Sequence, residues 1–197
     1  MRRSTWAAWA FVGLAACAVS RVDPLTIPLA YKTNPKNAGM FGSLSCAVLS
    51  QVQVTDARID KTLGVRTHES KPLKADVSAG SDPAGWVRDG VAGLLTQNGF
   101  SFQGGAPQLV ITIDTLRTTE TIWHRASYAA QVSMSGWLRS KSGKTCWQGT
   151  GSGSGGDYGY AGSIENYQET LNGALDAATV QMIQSSGFKD ALCHCAN

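Results

Sequence analysis

The 197 residues carry 17 basic and 14 acidic side chains, a formal charge of +3, with 43% hydrophobic and 16% charged content. That is enough chain for one well-packed domain and short for two, and charge this sparse and balanced lacks the basic excess of a nucleic-acid-binding surface. Beyond the first twenty residues no stretch is apolar over the roughly 20 positions a bilayer span needs, and the 22 glycines keep no collagen-like period, which assigns them to loops.

Arg2 and Arg3 precede an uncharged apolar run from Trp6 to Ala16. A positive start, a short apolar segment and then small residues make the layout of a secretory signal peptide. The run ends in Leu14-Ala15-Ala16-Cys17, which resembles the lipobox of bacterial lipoproteins. The resemblance implies cleavage after residue 16, diacylglycerol on the Cys17 thiol and a further acyl chain, such as palmitate, on the new amino group. Each buried CH2 contributes about 0.8 kcal/mol, so several chains anchor a protein where one holds it only marginally. Ala18 stands where an Asp commonly retains proteobacterial lipoproteins in the inner membrane, so the pattern resembles that of outer-membrane sorting. Losing residues 1–16 removes two arginines and no acid, leaving a nearly neutral chain with little electrostatic pull toward anionic lipid.

Four further cysteines, Cys46, Cys146, Cys193 and Cys195, are an even number in an exported chain and read as two disulfides. Three pairings are open. A Cys193–Cys195 bridge would close a very tight ring, which favours the tail cysteines reaching back to Cys46 and Cys146. Cys193-His194-Cys195 lacks the second ligand pair that a zinc site wants, so no metal is assigned.

Residues 17–43, with Pro24, Pro28 and Pro35 and no sustained period, read as the lipidated cysteine and an extended tether, although Leu25 to Tyr31 could lie along the domain. The domain spans 44–186, and 187–197 form a cysteine-bearing tail. From Cys46 to Val54 apolar residues alternate as in a strand, and a second short strand covers Leu63–Thr67. Ser81 and Asp82 can cap a helix that begins at Pro83 and ends before Gly99, with Val87, Val91, Leu94 and Leu95 on one face. Two long strands follow, Gln108–Thr121 and Ser127–Ser140. The second places Tyr128, Ala130, Val132, Met134 and Leu138 on one face and Gln131, Ser133, Ser135 and Arg139 on the other, the pattern of an antiparallel sheet covered on one side. A turn at Lys141–Lys144 leads into a strand from Thr145 to about Thr150. The Gly/Ser stretch 149–156 reads as a flexible loop. A final helix from about Ser163 to Ser185 carries Ile164, Tyr167, Leu171, Leu175, Ala178 and Met182 in a stripe. The expected fold is α+β: an antiparallel sheet with two helices packed on one face, in the order β-β-α-β-β-β-α.

Motifs for chemistry do not assemble. Gly143-Lys144-Thr145 lacks the earlier glycine and following helix of a phosphate-binding loop. No serine in the Gly/Ser stretch sits in a G-x-S-x-G frame. His124, at the tip between the long strands, has Glu120 as its one nearby acid, and His68 lies in a polar loop. Asp56 and Asp60 flank Arg58, which suggests local charge pairing rather than a hydrolytic dyad. No catalytic residue and no cofactor is assigned. Trp123, Trp137 and Trp147 with Tyr158 and Tyr160 stand apart. Trp137 and Trp147 on neighbouring strands would stack on the uncovered sheet face, making Trp137, Trp147, Tyr158 and Tyr160 candidates for binding a partner, since Trp and Tyr are enriched in hot spots.

The lipobox at Leu14–Cys17, the strand ending Val52-Gln-Val-Thr-Asp56-Ala-Arg58, Leu63-Gly64 and the closing order of long strands and amphipathic helix together resemble the YajG-like group of small outer-membrane lipoproteins. The cysteine-bearing tail and the aromatic Gly-rich segment have no counterpart in that pattern. The resemblance implies an accessory or structural role in the envelope. The expectation is an outer-membrane-anchored, periplasm-facing lipoprotein without catalysis, held to the membrane by its N-terminal lipid and binding an envelope protein. The alternatives are an auxiliary lipoprotein of a lipid or lipopolysaccharide transport machine and, on the weakest grounds, an envelope hydrolase.

Overall fold

The computed structural model describes residues 21–42 and 46–195; the expected leader and lipobox, with Cys17, lie outside the described residues. Nine strands are formed: β1 (Leu25–Ile27), β2 (Val48–Leu49), β3 (Val52–Asp56), β4 (Gly64–His68), β5 (Lys71–Ala79), β6 (Ser101–Phe102), β7 (Gln108–Ile122), β8 (Ala126–Arg139) and β9 (Thr145–Gly159). Three helices join them: α1 (Pro83–Gln97), α2 (Ile164–Gln184) and α3 (Phe188–His194). The fold is α+β, as the periodicities require.

The main sheet has seven strands, in the order β1-β5-β4-β7-β8-β9, and β3 shares with β4 the edge of β7 that faces away from β8. It is mixed rather than wholly antiparallel. The hairpin β7–β8 and the pairs β8–β9 and β4–β5 are antiparallel, whereas β1–β5, β3–β7 and β4–β7 are parallel. Alternation reports which face a residue occupies, not which neighbour its strand takes, so the parallel pairings left no mark in the pattern.

Leu109, Ile111 and Ile113 point into the core until a bulge at Asp114 shifts the alternation, after which Leu116, Thr118 and Glu120 point inward. The bulge falls where β3 ends and β4 has not begun. Arg58 fills this gap, donating from Nη1 to the Leu116 carbonyl at 3.0 Å and to the Thr62 carbonyl at 3.1 Å while Asp56 binds its other face. A buried carbonyl that neither strand could reach is thereby satisfied.

Both long helices start where the residues allow. The Asp82 carboxylate accepts from the Ala84 and Gly85 amides with Pro83 in the first turn, and Ser163 Oγ accepts from Asn166 N. Gly99 follows α1 with φ 87, the left-handed conformation a helix end commonly takes. Trp86, Val87, Val91, Leu94 and Leu95 of α1 and Tyr167, Leu171, Leu175, Ala178 and Met182 of α2 are buried against the sheet.

The Gly/Ser stretch is a correction. It is no loop but the middle of β9, directly under α2. A Cβ on Gly151 would come within 2.1 Å of the Ala178 carbonyl oxygen, on Gly153 within 2.2 Å of that of Ala174, and on Gly155 within 2.1 Å of that of Thr170. Glycine at every second position makes one face of the strand flat, and the helix backbone lies on it. The serines between point to the outer face.

Two further corrections concern the ends of the domain. The segment expected as a tether is folded from Leu25 to Phe41: β1 adds to β5, and Ile27 and Phe41 are buried. Tyr31 packs over Gly90 and Gly93 of α1, where a side chain would collide with its ring, and donates to Asp176 Oδ1 at 2.8 Å. The expected tail is α3, whose Phe188 packs edge-on against Trp147 with centroids 4.9 Å apart. Short segments of this kind carry too few turns for a periodic signal. β5 is a further strand beyond those expected, its Leu73, Ala75, Val77 and Ala79 alternating with Lys74, Asp76 and Ser78.

Candidate functional site

The cysteines pair Cys46–Cys193 and Cys146–Cys195. The tail does reach back to both earlier cysteines, and the same bonds use the two thiols that a Cys-His-Cys metal site would need. Both bridges sit at the end of the sheet where β9 begins, packed against the core that includes Trp147 and Phe188.

The aromatic candidates divide. Trp147 lies opposite Leu138 and Trp137 opposite Gln148 across β8 and β9, so the two indoles occupy opposite faces and do not stack. Trp147 is 8% exposed and belongs to the core, its ring covering the space a Cβ on Gly149 would take. Trp137 is half-buried on the outer face. Register, not strand adjacency, decided this: pairing is unbroken from Trp147 opposite Leu138 to Gly159 opposite Ala126, which puts Trp147 on the inward row with Gly149, Gly151 and Gly153.

Tyr158 and Tyr160 are instead 75% and 90% exposed and lie at the far end of the sheet, the end that also carries Trp123, 59% exposed. Trp123 lies in the turn between β7 and β8, its ring tilted on that of His124 with centroids 4.5 Å apart. Trp123, His124 and Arg125 line an open recess with Gly159, Tyr160 and Ala161. Tyr160 and Ala161 form the link from β9 to α2.

Beneath this rim lies the most elaborate polar cluster among the described residues. Glu120 is fully buried. Its Oε2 accepts from Arg66 Nε at 2.5 Å and from the Tyr167 hydroxyl at 2.9 Å, and its Oε1 accepts from Gly162 N at 2.6 Å. The Tyr128 hydroxyl lies 3.2 Å from Oε1 and against the Tyr160 carbonyl, and it accepts from Ser163 N at 3.1 Å. Burial pushes the Tyr128 phenol up to about 12, with the Glu120 charge adding to the effect, and raises Tyr167 further for the same reasons. Both phenols therefore stay protonated throughout the ordinary pH range, Tyr167 donating to Glu120 while the single Tyr128 proton lies between Glu120 and the Tyr160 carbonyl. A buried carboxylate satisfied by one guanidinium, a phenol and a backbone amide is a tie-point, and what it ties is the loop carrying Tyr160 to the hairpin carrying Trp123.

Glu120 thus faces Arg66 and the core and does not serve His124, whose ring stacks outward. One guide to this role existed in the sequence: once the alternation is shifted by the bulge, Glu120 falls on the inward row with Leu116 and Ile122. Of the other histidines, His68 Nδ1 receives the Ser70 amide and His194 Nδ1 contacts the Asp190 carbonyl. Asp56 pairs with Arg58 through two 2.9 Å contacts, which hold its carboxyl below the usual carboxylate range. The Thr62 amide, reinforced by the Thr62 hydroxyl, lowers Asp60 as well. Both are carboxylates at neutral pH, and neither is poised as a general acid. Among the described residues no group of three or more His, Cys, Asp or Glu is placed to hold a metal, and no helix is long and apolar enough to cross a membrane.

No protein-family model matches the chain, and no curated protein matches it in sequence. Among solved structures it is similar to protein XCC0632 from Xanthomonas campestris, described with the family model DUF330, with 8% identity and a TM-score of 0.47 over 87% of this chain and 94% of that one. It is also similar to a protein described as uncharacterized, with 12% identity and a TM-score of 0.38 over 89% of this chain and 97% of that one. At such identities neither neighbour carries a function across.

Proposed function

We propose that the chain is a lipoprotein anchored in a bacterial outer membrane through Cys17, facing the periplasm, with a non-catalytic binding or structural role in the envelope. The observation that carries this reading is the pair of disulfides that clasp the C-terminus to the body, the covalent economy of an exported chain, taken with the leader and lipobox that precede them. The non-catalytic part is supported by how the titratable groups are engaged. The histidines bond to backbone or stack on an indole, the paired aspartates are held ionised, and the buried carboxylate is saturated with donors. The contact surface is the rim of Trp123, Tyr158 and Tyr160, because three large aromatic side chains gathered at one end of a small body are a recognition feature rather than packing.

The test is mass spectrometry of the protein extracted from membranes of a cell that makes it, together with fractionation of Cys17→Ser. The expected mature chain begins at an acylated Cys17, and Cys17→Ser leaves the membrane fraction. A chain that keeps residues 1–16 with an unmodified thiol overturns the proposal.

A further inference from the structure

We infer that the rim of Trp123, Tyr158 and Tyr160 seats on the lipid bilayer itself, at the headgroup level of the leaflet that holds the anchor, and stands the sheet on its end against the membrane. The inference rests on the anchor reading above and names the occupant of that surface.

The reach of the N-terminal segment carries the argument. The Asp23 carbonyl accepts from Arg66 Nη1 at 2.8 Å, and Arg66 is the register partner of Glu120, so Asp23 stands at the level of Glu120. The direction of the chain there is fixed too. β1 runs parallel to β5, β5 antiparallel to β4, and β4 parallel to β7, so the chain before β1 heads toward the Ile122 end of β7. Trp123 lies three residues beyond Glu120, about 10 Å further along a strand. Cys17 lies six residues before Asp23, at most about 20 Å of extended chain. Even fully stretched, the acylated residue therefore clears the aromatic tip by only about 10 Å. A tether this short cannot hold the body away from the surface, and the end it brings down is the one with the three most exposed aromatic rings among the described residues.

The chemistry of that end suits the place. Trp and Tyr concentrate at membrane–water interfaces, where an apolar ring and a polar edge each find their medium. Arg125 beside them is exposed and can meet a lipid phosphate as a forked donor. The Glu120 cluster beneath holds hairpin and loop together, so the rings present one rigid edge instead of separate mobile loops.

The test uses the acylated protein reconstituted into phosphatidylethanolamine–phosphatidylglycerol vesicles, with bromines on the acyl chains near the headgroups as short-range quenchers of tryptophan. Trp86 and Trp147 are buried, and Trp137 lies at the opposite end of the hairpin. The expected result is a fall in emission in brominated vesicles that Trp123→Phe abolishes and Trp137→Phe leaves intact. Emission that does not fall in a protein whose Cys17 is shown by mass spectrometry to be acylated, or a fall that survives Trp123→Phe, overturns the membrane seat while leaving the anchor standing. An unmodified Cys17 overturns the anchor and the seat together.

Discussion

The two ends of the sheet are held by different physics. At the end where β9 starts, two disulfides and the Trp147–Phe188 contact fasten α3 to β9 and to the segment before β2. At the other end a single buried carboxylate gathers β4, β7, β8 and the loop into α2 through hydrogen bonds. Covalent closure acts largely on the unfolded chain, by removing conformations it would otherwise visit. A buried charge network acts on the folded state and is sensitive to every one of its members. The polar end has one arrangement that works, which suits it to present a surface.

That contrast can be broken most severely from the polar side. Glu120→Ala leaves Arg66 buried without its carboxylate and the Tyr167 phenol without its acceptor, and the expected loss is about 3–5 kcal/mol in chemical denaturation, since removal of one member of a buried pair strands the other. Glu120→Gln, which keeps the shape and one acceptor, should recover part of that loss. Equal effects of the two would show that volume and not charge holds this end. At the clasped end, Cys146→Ser with Cys195→Ser should lower stability by about 2–4 kcal/mol. Circular dichroism of the sheet should be unchanged under native conditions, because the packing of Trp147 on Phe188 does not require the bond.

Midway between the ends, Gly153→Ala puts a methyl group against backbone atoms of α2, within 2.2 Å of Ala174 O and 2.4 Å of Ala178 N. Neither can swing aside, so helix and strand must separate, at about 1–3 kcal/mol as for other overpacked cores. Gly143→Ala, in the exposed turn between β8 and β9 with nothing near its Cβ, is the reference for the conformational effect of a positive φ alone. The smallest effect belongs to pH. Arg58 lowers the folded-state pKa of Asp56 below its unfolded value, so this carboxylate adds stability above the unfolded pKa and loses it as pH falls through the folded one. Asp176 has the opposite sign: burial raises its pKa despite the Tyr31 and Asn37 donors, so it disfavours the fold at neutral pH and does so less as it protonates. Asp56→Asn should therefore flatten the acid limb of a denaturation series below about pH 5, where the unfolded carboxylate begins to protonate. An unchanged limb would exclude the Asp56–Arg58 pair from acid stability.

How much of this was legible differs element by element. α1 and α2 were readable to within a residue or two, because each begins with a side-chain cap and carries a stripe at helical spacing. The long hairpin was readable from alternation. β9 was not, since a run of Gly and Ser has the composition of a flexible linker, and only the presence of α2 on its flat face makes a strand of it. The aromatic surface was half legible: Tyr158 and Tyr160 are on it, while Trp147 belongs to the core and Trp137 to the other end of the outer face.

What the order of residues determined by itself is the local chemistry: an even set of cysteines after residue 40, the caps and stripes of two helices and the two-residue period of the hairpin. Those depend on neighbours a few positions apart. The tertiary structure alone decided which cysteine met which, that the sheet is mixed, that glycines serve close approach, and that Glu120 binds Arg66 instead of His124. Each of these depends on groups tens of residues apart becoming neighbours, and strand register, which a single bulge can shift, sets the face on which every one of them falls.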